Sequence, residues 1–374
     1  MSKTLDLTLP VMLHFDAEIP TFLAAKERLE KLGAKYGVLT HVGAFLPYMP
    51  GHSRKPANFD KQLVNQQKYR LPIWLVETGI DSQNSLAYVP GNPTFRPDIK
   101  SEYESVLEQV ARLRDLDPKP VANVVVGPHI ATQVTNDLKE GDYSRMGLYS
   151  PADFARLRTQ LFEQSKTRFG ELITKSRSLG LRMAIENAPP VTFADYGFWS
   201  GGSRQAKLEL RYHGFNSLDD IVEISEASQI IDLTHLAGAI DTPKAFTKNG
   251  ASHDTLFTVM GVSNWDEFSQ RVGSYEDHLA NAVAIHLSGV EGIGVRLAKD
   301  TPEAKRWGGS GTLPNLLTPS QYASFIEFSM LREIPVAIEE DFITPEKPAA
   351  QLDYKEADAF LEPILKEVQF RRGN

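Results

Sequence analysis

Eight short apolar runs punctuate the chain, at residues 7–13, 37–42, 71–77, 122–126, 181–186, 230–233, 282–287 and 334–338. Most are rich in Val, Ile and Leu without strict polar alternation, the pattern of parallel strands buried on both faces. The stretches between them carry helix signals. Ser150-Pro151-Ala152-Asp153 reads as a capping box with proline at the first helical position, and Phe154, Leu157 and Leu161 then recur at helical spacing. Thr318-Pro319-Ser320-Gln321 does the same before Tyr322, Phe325 and Ile326. Further boxes run from Ser217 to Asp220 and from Ser263 to Asp266. Tyr103, Val106, Leu107 and Val110 form one more apolar stripe, closed by Asp117-Pro118.

Eight strands alternating with helices predict an α/β fold. The commonest eightfold version is a single (β/α)8 TIM barrel, here one domain over residues 1–374, with a doubly wound open sheet as the rival. No linker divides the chain. Irregular stretches at 43–58, 188–214 and 290–314 each follow a predicted strand, which predicts long loops on the C-terminal face, where barrel enzymes keep their sites. Phe198-Trp199-Ser200-Gly201-Gly202 has the look of a lid.

Composition narrows the function. Of 374 residues, 41% are hydrophobic and 24% charged, ordinary for a soluble globular enzyme. A net charge of −8 argues against nucleic acid as a partner, because a phosphate backbone needs a compensating basic face. There is no cysteine, which removes disulfides, thiolate metal sites and cysteine nucleophiles. Residues 1–14 lack the features of a signal peptide, and no apolar run nears the roughly 20 residues of a membrane span. The expectation is a cytoplasmic protein without membrane contact, and the sequence leaves homo-oligomerisation open.

Four of the predicted strands end in metal-ligand types. Residues 181–186 close on Glu186, Ile230-Ile231 lead to Asp232, residues 282–285 to His286, and residues 334–338 to Glu339. The intervals are 46, 54 and 53 residues, each suited to one β/α unit with a long loop. A lone strand-end glutamate is more often a salt-bridge partner, and a lone histidine more often a satisfied core residue. Together they change the reading, since buried carboxylates and imidazole are costly unless compensated and one cation compensates them all. Three carboxylates and an imidazole suit one divalent ion: Mn²⁺, Mg²⁺, Co²⁺ or Zn²⁺.

The series Ala184-Ile185-Glu186-Asn187, Asp232-Leu233-Thr234-His235, His286-Leu287-Ser288 and Ile338-Glu339 resembles that of the xylose-isomerase-like TIM barrels, a superfamily of sugar isomerases, ketose epimerases and endonuclease IV. Val124-Val125-Val126-Gly127-Pro128-His129 is similar to its fourth strand, and the resemblance fades before Leu71. It implies that Glu186 and Glu339 both bind metal and flank the substrate carbon, one removing a proton while the other delivers it. The metal would hold the hydroxyl-carbonyl pair and stabilise an enediolate. His235 matches a histidine that contacts the substrate or orients the aspartate.

Departures bear on substrate. The epimerases' arginine after the seventh-strand histidine is replaced by Gly292, with Arg296 the nearest substitute. The Asp-x-His pair of a trinuclear site is missing from Arg306-Trp307-Gly308-Gly309-Ser310-Gly311-Thr312, so one ion is expected. Candidate substrate contacts are His129, Arg296, Trp199 and Trp307, while His41 reads as solvent-facing. Residues 289–294 lack the spacing of a dinucleotide fingerprint, and residues 308–311 read as a flexible turn. Glu340 and Asp341 read as a solvated strand end, either replacing Glu339 if the register slips by one. Asp277-His278 reads as solvated helix surface. The expected function is a metal-dependent isomerase or epimerase of a sugar-like hydroxy-ketone, acting through an enediolate. A metal-dependent lyase or decarboxylase on the same site is the alternative, followed by an abasic-site endonuclease and a non-catalytic binding barrel.

Overall fold

The structure, a computed structural model, describes residues 7–14, 19–48, 64–65, 67–69, 73–78, 99–115, 125–128, 132–137, 151–187, 191–195, 208–214, 218–224, 226, 228–233, 236, 243, 253, 257, 260–272, 278–288, 318–339 and 355–373. Twelve strands are present among them: β1 (Thr8–His14), β2 (Leu39–Tyr48), β3 (Ile73–Thr78), β4 (Val125–Pro128), β5 (Thr132–Asp137), β6 (Arg182–Met183), β7 (Ile185–Glu186), β8 (Val191–Asp195), β9 (Leu208–Gly214), β10 (Gln229–Asp232), β11 (Ala282–Ser288) and β12 (Val336–Glu339). The principal helices are α1 (Ile19–Lys35), α2 (Ile99–Asp115), α3 (Pro151–Ser178), α4 (Leu218–Ile224), α5 (Trp265–Val272), α6 (Pro319–Arg332) and α7 (Lys355–Arg371).

Nine strands form a curled sheet in the order β6-β4-β3-β2-β1-β12-β11-β10-β7, with every pairing parallel. Its two outermost members, β6 and β7, are one short segment interrupted only at Ala184. Each of the eight apolar runs overlaps this sheet. Two boundaries move. β2 extends through Tyr48, into the stretch expected to be irregular, and part of the expected loop at 188–214 is strand. There β8 and β5 flank β9 in a separate antiparallel sheet of three.

Two helices begin where side chains satisfy their first amides. At α6, Thr318 Oγ1 accepts from the Gln321 amide at 3.2 Å, and Gln321 Oε1 accepts from the Thr318 amide at 2.9 Å. Two orphan donors are thereby satisfied, with Pro319 at the first helical position. At α5 the cap is displaced by one residue from the expected Ser263: Asn264 Oδ1 accepts from the Glu267 amide at 2.9 Å. Glu267 Oε2 reaches back to the Ser263 amide at 2.7 Å, so Glu267, and not Asp266, completes the box.

Two apolar layers result. The larger packs helices on the sheet: Tyr103, Val106, Leu107 and Val110 of α2 and Tyr322, Phe325 and Ile326 of α6 all lie in it, beside Val11, Val42 and Ile231 of the strands. A smaller cluster lines the opposite face, with Met12, Phe45, Trp74, Ala184, Ile230, Ala284 and Ala337 among its members. Small residues there make room for the Trp74 indole. A Cβ built on Gly43 would stand 2.7 Å from Trp74 Cδ2. The first and last parts of the chain are joined, since β1 pairs with β12 and α1 is tied to α7 through Arg28 Nε–Asp358 Oδ2 at 2.7 Å and Lys35 Nζ–Glu362 Oε1 at 2.6 Å.

Candidate metal centre

Residues alternate across a strand with a period of two, so each residue two beyond a member of the smaller cluster falls on the same face, one pleat higher. Glu186 stands two beyond Ala184, Asp232 two beyond Ile230 and His286 two beyond Ala284. The strands therefore carry three polar side chains above an apolar floor. All three are enclosed, with 1%, 0% and 0% exposure.

One ligand atom from each of Glu186, Asp232 and His286 lies within 4.8 Å of the other two. His286 Nδ1 is 3.1 Å from Glu186 Oε1. Two donors bound at about 2.1 Å to one ion, at right angles, stand about 3 Å apart, so this spacing fits a shared cation. The donor chemistry fits as well. Two carboxylates and an imidazole form a mostly hard set, and their enclosure leaves negative charge that a divalent ion would offset.

The register explains the convergence. Asp232 pairs directly with His286, while Glu186 pairs with Ile230, two residues below Asp232. The backbone of Glu339 ends β12 opposite Ser288, two residues beyond the Ala337–His286 pair. Its side chain lies outside the described residues, as do His129, Trp199, His235, Arg296, Trp307, Glu340 and Asp341. His41 is exposed on β2, away from the cluster. His278 differs from its expected solvated setting. It is buried, with Nε2 3.6 Å from Asp219 Oδ1, because it packs against α4 beside the 2.8 Å Arg271–Asp220 ion pair.

Two residues that sequence reasoning passed over join the site. The Phe45 ring lies 5.5 Å from the His286 ring at 46°, giving the imidazole an apolar wall. Asn187, 3% exposed, bonds twice to Asp232: its Nδ2 donates to the Asp232 carbonyl at 3.0 Å, and its Oδ1 accepts from the Asp232 amide at 2.8 Å. An asparagine directly after a strand-end ligand was the available signal for the second. For Phe45 the sequence offers none.

No family model matches the chain, and no curated protein matches it. Solved structures do. A xylose isomerase domain protein from Planctomyces limnophilus aligns at 15% identity over 96% of this chain and 98% of its own, with a TM-score of 0.44. D-psicose 3-epimerase from Clostridium cellulolyticum H10, solved with D-tagatose, aligns at 10% identity over 98% and 97%, with a TM-score of 0.43. An IolI protein solved with a zinc atom aligns at 12% identity over 96% and 99%, with a TM-score of 0.44. Among the described residues, no helix is long and apolar enough to cross a membrane.

Proposed function

We propose that the chain is a single (β/α)8 barrel over residues 1–374 and a divalent-metal-dependent isomerase or epimerase of a sugar or sugar-like hydroxy-ketone. The observation that carries this reading is the enclosed Glu186–Asp232–His286 triplet, one pleat above an apolar floor. The register supports closure. From His14 the partners run through Phe45, Leu75 and Val125 to Arg182; from Ile185, three residues on, to Gln229; from Ile230 to Ala284; and from Ile285 through Val336 to Val11. After allowing for the five residues climbed on the way, the circuit returns to β1 eight residues below its start. A shear of eight on eight strands is that of a TIM barrel.

That stagger bears on the fourth ligand. A shear of eight asks a set of residues at one height to climb about one residue per strand. From Glu186 to Asp232, His286 and Glu339 the climb over the register is two, none and two. Glu339 also stands one pleat beyond Ala337 of the apolar floor, as each of the other three stands beyond its own floor residue. We assign the ion to Glu186, Asp232, His286 and Glu339, with its identity among Mn²⁺, Mg²⁺, Co²⁺ and Zn²⁺ left to experiment.

Glu186, Asp232, His286 and Glu339 would hold the ion, which would supply Lewis-acid polarisation of a substrate carbonyl. The proton work falls to the protein. One of Glu186 and Glu339 removes the proton from the carbon beside the carbonyl and the other returns one, as a paired base and acid. Phe45 and the floor beneath it give the site an apolar wall beside His286. His235 follows β10 and orients substrate or Asp232, and His129, Trp199, Arg296 and Trp307 are assigned to substrate contact. The test is solvent exchange. Purified protein loaded with Mn²⁺ or Co²⁺ is incubated with keto-sugars and their phosphates in D₂O. Deuterium entering at the carbon beside the carbonyl is expected, and its absence across the panel from fully loaded protein would overturn the assignment.

A further inference from the structure

The ladder between β7 and β10 stops at Glu186 and Ile230, immediately below the ligand Asp232. At that pair the Asn187 amide donates to the Ile230 carbonyl at 3.3 Å. The Asn187 side chain then takes over. Its amide group offers one donor and one acceptor, the same pair a peptide unit offers. It uses both on the two backbone groups of a single residue, Asp232, 45 positions away. A side chain here bonds both backbone groups of the residue that lies one ladder step further on.

We propose that Asn187 is a positioning residue, acting through the Asp232 backbone to hold that carboxylate beside Glu186 and His286. The inference rests on the metal-site reading. A carboxylate can swing with its main chain, and at the end of a strand the main chain is least restrained. With both backbone groups of Asp232 gripped, the Cα–Cβ direction is fixed and the ligand meets the ion preorganised. Asn187 is enclosed, so water does not readily replace its two bonds when it is removed. Aspartate at this position would keep the acceptor, lose the donor and add charge beside a carbonyl oxygen.

The test compares apo wild type, Asn187→Ala, Asn187→Asp and the control Ile231→Val. Ile231 neighbours Asp232 in the helix-facing core, so its shortening lowers stability without touching the grip. Each is titrated with Mn²⁺ by calorimetry, and the Co²⁺-loaded forms are compared by visible absorption. Both Asn187 variants should bind one ion about 10–100-fold more weakly, the usual effect of losing a group that orients a ligand. Their Co²⁺ bands should shift, while Ile231→Val keeps wild-type affinity and spectrum at a similar fall in Tm. If the wild type binds one ion and either folded Asn187 variant matches it in affinity and spectrum, the positioning role is wrong and the metal site stands. If the wild type binds none, the site reading fails first and takes this inference with it.

Discussion

His286 Nδ1 lies 3.1 Å from Glu186 Oε1 with both side chains enclosed, an arrangement that places an imidazole and a carboxylate where one ion can bridge them. Binding to the folded state alone stabilises a protein by mass action. At an ion concentration a hundredfold above Kd the gain is about 2.7 kcal/mol. Treatment with a chelator should therefore lower Tm by several degrees, and Mn²⁺ or Zn²⁺ should restore it. In His286→Ala the metal-dependent part of the shift should vanish, which differential scanning calorimetry with and without metal will show.

In the proposed mechanism, Glu186→Gln and Glu339→Gln keep side-chain size and one oxygen ligand but remove the proton-transfer group. With saturating metal, turnover should fall by roughly 10²–10⁴, the usual worth of a general acid or base. His235→Asn should lose less, about 10–100-fold. Near-wild-type rates in both Gln variants would exclude the paired-glutamate mechanism.

The Gly43 site has a cost that opposes local propensity. Alanine in a strand gains about 0.5–1 kcal/mol over glycine. Here its Cβ would stand 2.7 Å from Trp74 Cδ2, against an indole that is 1% exposed. Overpacking of this kind costs about 1–3 kcal/mol, so Gly43→Ala should destabilise on balance. Urea unfolding should show a lower midpoint, and the double variant Gly43→Ala, Trp74→Phe should recover part of it.

Between α1 and α7, the hydrogen bond from Lys35 is the largest influence holding the Glu362 carboxyl below its ordinary value of 4.5, followed by that from Tyr36. Glu362 in turn raises Lys35 above 10.5. A depressed carboxyl stabilises the fold above its unfolded pKa, and the contribution is lost as pH falls through the folded value; the raised amine loses its share only as pH climbs past its own. The groups are exposed, so salt screens them. Glu362→Gln should lower Tm slightly at pH 7, and the difference should fade as pH falls through the carboxyl's lowered folded value and in about 1 M NaCl.

The parallel strands were legible because burial on both faces writes itself as apolar runs. Pro47 hid the end of β2, but it lies beyond the last β1 pair, His14–Phe45, where a missing amide costs no bond on that side. The antiparallel sheet was overlooked although Leu208-Glu209-Leu210-Arg211-Tyr212-His213-Gly214 alternates as a half-buried strand does. One partner, at 132–137, is some 75 residues away, and local pattern does not report so distant a pairing; the other, at 191–195, is near in sequence but lay in the stretch expected to be loop. Glu186, Asp232 and His286 could be found because a charge ending an apolar run is conspicuous. Asn187 stood in the quoted motif without a role, and Phe45 depends on what approaches it in space, which the linear pattern does not hold. His278 was misread for the same reason, since α4 closes over it.

Among the described residues, the segment carrying Glu186 also has the fewest register pairs in the sheet. Two register pairs join β6 to β4 and two join β7 to β10, whereas β1 and β2 share seven. Local opening needs least work where fewest ladder bonds break, so transient separation would start along this seam once the two Asn187 bonds to Asp232 part. Glu186 and Asp232 face each other across it. Uptake and loss of an ion would then be gated by the breathing of one short strand, and the residence time of the metal would be set by how often that seam parts.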